Sequence, residues 1–238
     1  MCGFVGYTGK IENGKSVLES MMDKIAHRGP DSSGMHIDDK AALGFRRLSI
    51  IDLDKGSQPI YNETGDIAIV FNGEIYNYLS IREELIKAGH VFKTDSDTET
   101  LVHAYEQYGE KMTDHLRGMF AFVIWDMKNE RLMGVRDFFG IKPFYYAPTE
   151  DGIVFGSEIK GILPHPLVKK EVNTVALENY LTFQYSVLTE TFFKGVYKLM
   201  PGHMLIWEKG NLTVKRYWEP VLEPQRGKSL DDTVNDID

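Results

Sequence analysis

The chain contains a single cysteine, and it is the second residue, in Met1-Cys2-Gly3-Phe4-Val5-Gly6. Once an initiator methionine is removed, a cysteine in this place carries a nucleophilic sulfur and a free α-amine together. An α-amine titrates near about 7.7–8.0 and a thiol near about 8.5, so one can take the proton of the other close to neutral pH. Placing nucleophile and base on one residue is an established way to activate an N-terminal side chain. The plain alternative is a cysteine that merely falls near the start of the chain. Other residues have to decide between them.

Four stretches would complete a thiol site that cleaves amides. In Asn72-Gly73, a side-chain amide and a glycine N–H aimed at one point would hold the oxyanion of a tetrahedral intermediate. The same dipeptide is also a common tight turn. Arg47, in Phe45-Arg46-Arg47-Leu48-Ser49-Ile50-Ile51-Asp52, offers a planar fork for an amino-acid carboxylate, or else a solvated strand edge. Asp97, in Thr94-Asp95-Ser96-Asp97-Thr98-Glu99, could hold an α-ammonium group or cap a helix. His27-Arg28-Gly29-Pro30-Asp31 invites a Cys–His pairing, yet it ends a helical stretch and reads more simply as a turn.

The elements that must position these residues follow from periodicity. Gly3–Tyr7 reads as a short apolar strand, and Lys15–His27 as a helix with Val17, Leu18, Met21, Met22 and Ile25 on one face. Ile67–Phe71 reads as a buried strand ending at Asn72-Gly73. Helices are expected over Tyr78–Ala88 and Asp97–Tyr108, each stopped by glycine. Met119–Met127 pairs with Arg131–Asp137, Pro143–Ala147 with Gly152–Gly156, and His203–Glu208 with Leu212–Tyr217. Asn173 caps a further helix. Paired strands with grouped helices predict an α+β domain of stacked antiparallel sheets through about Trp218. Residues 219–238 read as a linker and then the start of a helix capped by Ser229, leading to a further domain.

Composition narrows the class. The chain has 238 residues and a net charge of −8, which argues against nucleic acid, since phosphate binding needs clustered Lys and Arg. No apolar run approaches the roughly 18 residues of a membrane span, and no signal peptide is evident. One cysteine is too few for a disulfide or a zinc site of thiolates. The expectation is a cytoplasmic protein acting on a small molecule.

The ordered set of motifs resembles the N-terminal glutaminase domain of the glutamine-hydrolysing asparagine synthetases, a branch of the class II glutamine amidotransferases. The motifs are Met1-Cys2-Gly3, His27-Arg28-Gly29-Pro30-Asp31, Arg47-Leu48-Ser49-Ile50-Ile51-Asp52 and Asn72-Gly73-Glu74-Ile75-Tyr76-Asn77. Gly118-Met119-Phe120-Ala121-Phe122, Arg136-Asp137, Gly140-Ile141-Lys142-Pro143 and Ser157-Glu158-Ile159-Lys160 continue them. Phe45 departs from the pattern, where relatives usually carry histidine.

The resemblance implies an N-terminal nucleophile hydrolase fold, an αββα sandwich with two antiparallel sheets. It implies that Cys2 attacks the side-chain amide of L-glutamine, with Asn72 and the Gly73 N–H as oxyanion donors. It places the glutamine on Arg47, Leu48, Ser49, Ile50 and Ile51, with Arg47 on its carboxylate and Glu74 and Asp97 at its amino end. His27 has no catalytic role in it. No metal or cofactor is implied for the glutaminase domain; ATP and Mg are implied only for a C-terminal synthetase domain of the same polypeptide. A homodimer stays open. The competing expectations are the glutaminase domain of another class II amidotransferase and a non-catalytic module of the same fold.

Overall fold

Alternation of apolar and small residues along the strands builds two facing sheets, because each strand can then bury one face against the other sheet and one against helices. The structure, a computed structural model, describes residues 2–48, 57–186, 188–222, 227 and 229–236. In chain order the strands are β1 (Gly3–Thr8), β2 (Ser32–Ile37), β3 (Ala41–Arg47), β4 (Ile60–Tyr61), β5 (Ile67–Ile75), β6 (Gly118–Asp126), β7 (Arg131–Arg136), β8 (Tyr145–Pro148), β9 (Ile153–Gly156), β10 (Tyr197–Lys198), β11 (His203–Glu208) and β12 (Asn211–Arg216). The helices are α1 (Gly14–Lys24), α2 (Tyr78–Lys87), α3 (Asp97–Tyr108), α4 (Met112–His115), α5 (Ile159–Ile162), α6 (Thr174–Phe183) and α7 (Leu230–Asn235). None of the described helices is long and apolar enough to cross a membrane.

One sheet runs β10-β8-β9-β1-β3-β2 and the other β12-β11-β7-β6-β5-β4. Every ladder is antiparallel. Phe4, Leu43, Phe45, Val70, Val123 and Trp125 fill the space between the sheets. The outer face of the first sheet packs Val5, Tyr7 and Ala42 on Leu18, Met21 and Met22 of α1. The outer face of the second packs Ile69, Phe71 and Phe122 on Ile81 and Leu85 of α2 and Leu101 of α3. The layers are therefore helix, sheet, sheet, helix, as the αββα expectation holds.

The structure corrects the local reading in three places. Asn72-Gly73 is no turn and no strand end: β5 runs on to Ile75, with Asn72 opposite Ala121 and Gly73 opposite Phe120. Asp97 is not the cap of α3; Ser96 is, its Oγ accepting the Thr98 N–H at 3.1 Å. The hairpin of β2 and β3 had no clear signal, because β2 is an edge strand with a largely exposed, polar sequence. The Asn173 and Ser229 caps are as read, accepting from Ala176 and Asp232 respectively.

Candidate active site

Period 2 decides which side chains meet. On β3, Leu43 and Phe45 point between the sheets, whereas Arg46 points out to α1 and binds the Met22 carbonyl and Asp23. Arg47, two residues after Phe45, therefore faces the inter-sheet layer, where it is 8% exposed. On β5, Ala68 and Val70 face the same layer, so Asn72 does too. Cys2, two residues before Phe4, packs against this core. Gly3 pairs with Arg46, which brings Cys2 alongside Arg47 and Leu48. The Leu48 N–H donates to Cys2 Sγ at 3.5 Å, and the Leu48 carbonyl lies 3.7 Å from the same sulfur. Met1 and the segment 49–56, with Ser49, Ile50 and Ile51, lie outside the described residues.

Two N–H donors of β5 are candidates for holding an oxyanion. Asn72 is 3% exposed, yet its Nδ2 has no hydrogen-bond partner. Buried amide donors are almost always paired, because an unmade bond costs about 1–3 kcal/mol. The second donor follows from the ladder. Phe71 exchanges both backbone bonds with the Gln58 side chain, donating to Oε1 at 2.6 Å and accepting from Nε2 at 3.1 Å. The Ile75 N–H, four residues on, donates to Asp97 Oδ2 at 3.0 Å. Strand N–H groups of one parity share one edge, so the Gly73 N–H projects from that edge between Gln58 and Asp97.

Gly73 has no room for a side chain. A Cβ there would stand 2.2 Å from the Met119 carbonyl oxygen and 2.7 Å from Phe120 Cα, both in the backbone of β6. Gly73→Ala is expected to lower stability by about 1–3 kcal/mol through forced backbone shifts. Because those shifts re-aim the Gly73 N–H, activity falls further than the fraction unfolded. Urea unfolding beside steady-state assays checks both parts.

Asp97 opens α3 next to the exposed Glu74. Burial pushes its carboxyl up from the ordinary 3.8 to about 6, and the Glu74 charge adds to this against the opposing Ile75 N–H bond. An ammonium group placed here would relieve the buried negative charge. Without one, the folded state binds more protons than the unfolded state between about pH 4 and pH 6, so Asp97 costs stability progressively as pH rises through that window. Asp97→Asn is expected to raise unfolding free energy by about 1–2 kcal/mol above pH 6, after screening at a partly exposed site, and by nothing below pH 4. Thermal melts of both proteins across pH 3.5–8 (about this span suffices) read this directly.

Reading the sequence alone missed the supports beneath Cys2. Arg28 Nε donates to the Cys2 carbonyl at 2.9 Å and its Nη1 to Glu158 Oε1 at 3.0 Å. His27 Nε2 lies 2.9 Å from the same Glu158 oxygen. Ser157 Oγ accepts the Phe4 N–H at 3.1 Å. These contacts explain why the His27–Asp31 and Ser157–Lys160 motifs belong together. Asp137 similarly collects the N–H groups of Phe120, Phe139, Ile141 and Lys142, while Arg136 holds the carbonyls of Gly140, Lys142 and Leu199. Two open clefts of about 430 and 390 Å³ lie elsewhere, around Pro166–Lys169 and around Phe138 and Trp218.

Two antiparallel sheets between helical layers, with the Cys2 thiol at the head of the central strand β1, frame the candidate site. The profile of the glutamine amidotransferase domain matches residues 1–218, and the chain belongs to that family. It is 42% identical to asparagine synthetase [glutamine-hydrolyzing] 1 of Bacillus subtilis strain 168, over 94% of this chain and 36% of that protein. It is 39% identical to amidase chry2 of Gibberella zeae, over 85% of this chain and 30% of that protein. The chain thus spans about a third of the length of these curated relatives. Among solved structures, the glutamine phosphoribosylpyrophosphate amidotransferase from B. subtilis shares the fold, with a TM-score of 0.67 at 19% identity, covering 92% of this chain and 50% of that one. A glutamine aminotransferase class-II domain protein from Silicibacter pomeroyi gives 0.53 at 13% identity, covering 91% and 98%.

Proposed function

We propose that this domain hydrolyses the side-chain amide of L-glutamine to glutamate and ammonia through a Cys2 thioester. The observation that carries the reading is the buried, unpartnered Asn72 Nδ2, on the same inter-sheet face as Cys2. With the initiator methionine removed, the Cys2 amine takes the thiol proton and the thiolate attacks the amide carbon. Asn72 Nδ2 and the Gly73 N–H receive the oxyanion. Collapse of the intermediate breaks the C–N bond, the nitrogen leaves protonated as ammonia, and water then cleaves the thioester. Arg28 holds the Cys2 carbonyl and so keeps the sulfur in place. Arg47, with Leu48, Ser49, Ile50 and Ile51, takes the carboxylate end; Asp97 and Glu74 take the ammonium end.

No cofactor enters this chemistry. The relatives' lengths support a longer polypeptide in which residues 219–238 lead to a C-terminal synthetase domain, where ATP and Mg would serve conversion of aspartate to asparagine with the released ammonia. A reducing, cytoplasmic setting suits a free catalytic thiol.

A glutamine analogue bearing a chloroketone in place of the amide tests the site. Intact-mass analysis is expected to show one adduct on Cys2, prevented by glutamine. A protein that resists the reagent, or is labelled equally with glutamine present, refutes the assignment. Arg47→Lys keeps the charge but loses the fork. It is expected to raise KM for glutamine about 10-fold or more with kcat little changed, since the carboxylate is held alike in ground and transition states.

A further inference from the structure

Away from Cys2, four side chains from three segments converge on one point. Glu63 follows β4, His90 lies between α2 and α3, and His103 and Glu106 occupy successive turns of α3. One ligand-type atom from each lies within 4.8 Å of all the others. His103 Nδ1 stands 3.0 Å from Glu106 Oε2 and 3.3 Å from Glu63 Oε2. His90 Nδ1 stands 3.6 Å from Glu63 Oε1 and 3.7 Å from Glu106 Oε2. Ligands about 2.0–2.2 Å from a tetrahedral zinc are separated by about 3.3–3.6 Å. The four N···O distances bracket that spacing.

We propose that Glu63, His90, His103 and Glu106 bind a zinc ion that braces α3 against the two loops beside it. Two imidazoles and two carboxylates are a donor set that zinc accepts, and four protein ligands leave no open position, which makes the site structural. The surroundings are those of ligands. His90 Nε2 faces Gln107 Oε1 at 3.3 Å, Glu106 Oε1 accepts from Asn62 Nδ2 at 2.9 Å, and Glu63 Oε1 accepts the Val91 N–H at 2.8 Å. Such outer contacts orient metal ligands.

His103 makes the strongest case. It is 1% exposed, and its Nε2 has no hydrogen-bond partner. With the proton on Nε2, the Nδ1 lone pair points at two carboxylates; with the proton on Nδ1, the bare Nε2 lone pair lies 3.7 Å from Glu99 Oε1. The Nδ1–H form donates to Glu106 Oε2 at 3.0 Å, yet each neutral form leaves one ring nitrogen's lone pair facing a carboxylate. A zinc ion on Nδ1 resolves both conflicts, since it neutralises Glu63 and Glu106 and leaves Nε2–H directed toward Glu99. The alternative is a protonated His103 inside an ion-pair cluster, and the experiment separates the two.

The test uses Cys2→Ala protein, stripped with a chelator and dialysed, so that the thiol cannot supply a rival site. Titration with Zn²⁺ against a chromophoric chelator is expected to show one equivalent bound, with a matching rise in melting temperature. Co²⁺ in its place is expected to give the visible bands of a tetrahedral centre. Losing even an outer-shell partner commonly weakens metal binding about 10–100-fold. Adding His90→Ala and Glu63→Gln removes two direct ligands at partly exposed positions, so a loss of at least about 100-fold is expected, along with the zinc-dependent melting shift. If circular dichroism shows this variant unfolded, Glu63→Gln alone serves, with a loss of about 10-fold or more. Failure of the stripped protein to bind Zn²⁺, or equal binding by the folded ligand variants, overturns the site in favour of the ion-pair cluster. Neither result bears on the glutaminase reading, which uses none of these residues.

Discussion

Cys2→Ala is expected to abolish ammonia release from glutamine, by about 10⁴-fold or more, with the melting temperature close to wild type. The chain has no second cysteine to substitute. The fold does not depend on this sulfur, because Cys2 only borders the inter-sheet core that Phe4, Phe45 and Phe144 fill. Its backbone is held independently of the thiol, through the Arg28 bond to the Cys2 carbonyl. Loss of activity without loss of fold isolates the chemistry from the architecture. Cys2→Ser keeps the shape and is expected to fall far below wild type, since a hydroxyl is a much poorer nucleophile at neutral pH. Ammonia assays with purified, fully processed protein decide it. Near-normal turnover in Cys2→Ala would place the nucleophile elsewhere.

Asn72→Ala is expected to lower kcat about 10²–10³-fold while KM changes little. The Asn72 donor is unengaged in the free protein, and the proposal gives it work only when the oxyanion forms. Stability provides a second reading of the same substitution. A buried donor without a partner costs folding free energy, so its removal is expected to change stability by no more than about 1 kcal/mol in either direction. If Asn72-Gly73 served only to shape the strand, the reverse pattern would appear: a clear loss of stability with kcat retained. Steady-state kinetics alongside urea unfolding therefore discriminates between the roles with one variant. A kcat within a few-fold of wild type would sink the oxyanion assignment even with Cys2 established.

The candidate site residues were marked in the chain itself. Cys2 at the start, the Asn72-Gly73 pair, Arg47 and Asp97 were all marked by residue type and by the motifs around them. Helix α3 was bounded correctly because glycine at 109 adopts φ 58° and stops it. What the chain could not show was the direction in which each group points. Asn-Gly reads locally as a turn, and only the pairing of β5 with β6 across Asn72–Ala121 holds it in a strand with its amide turned inward. Arg28, Gln58 and Glu158 carry no local mark of their roles, since their partners lie 26, 13 and 130 residues away. The Glu63, His90, His103 and Glu106 cluster was equally invisible, because it joins three segments whose spacing follows no metal-binding pattern. Short-range periodicity encodes which face of an element is buried. Which distant elements share that face depends on strand order and register, and these are fixed by packing the whole core at once.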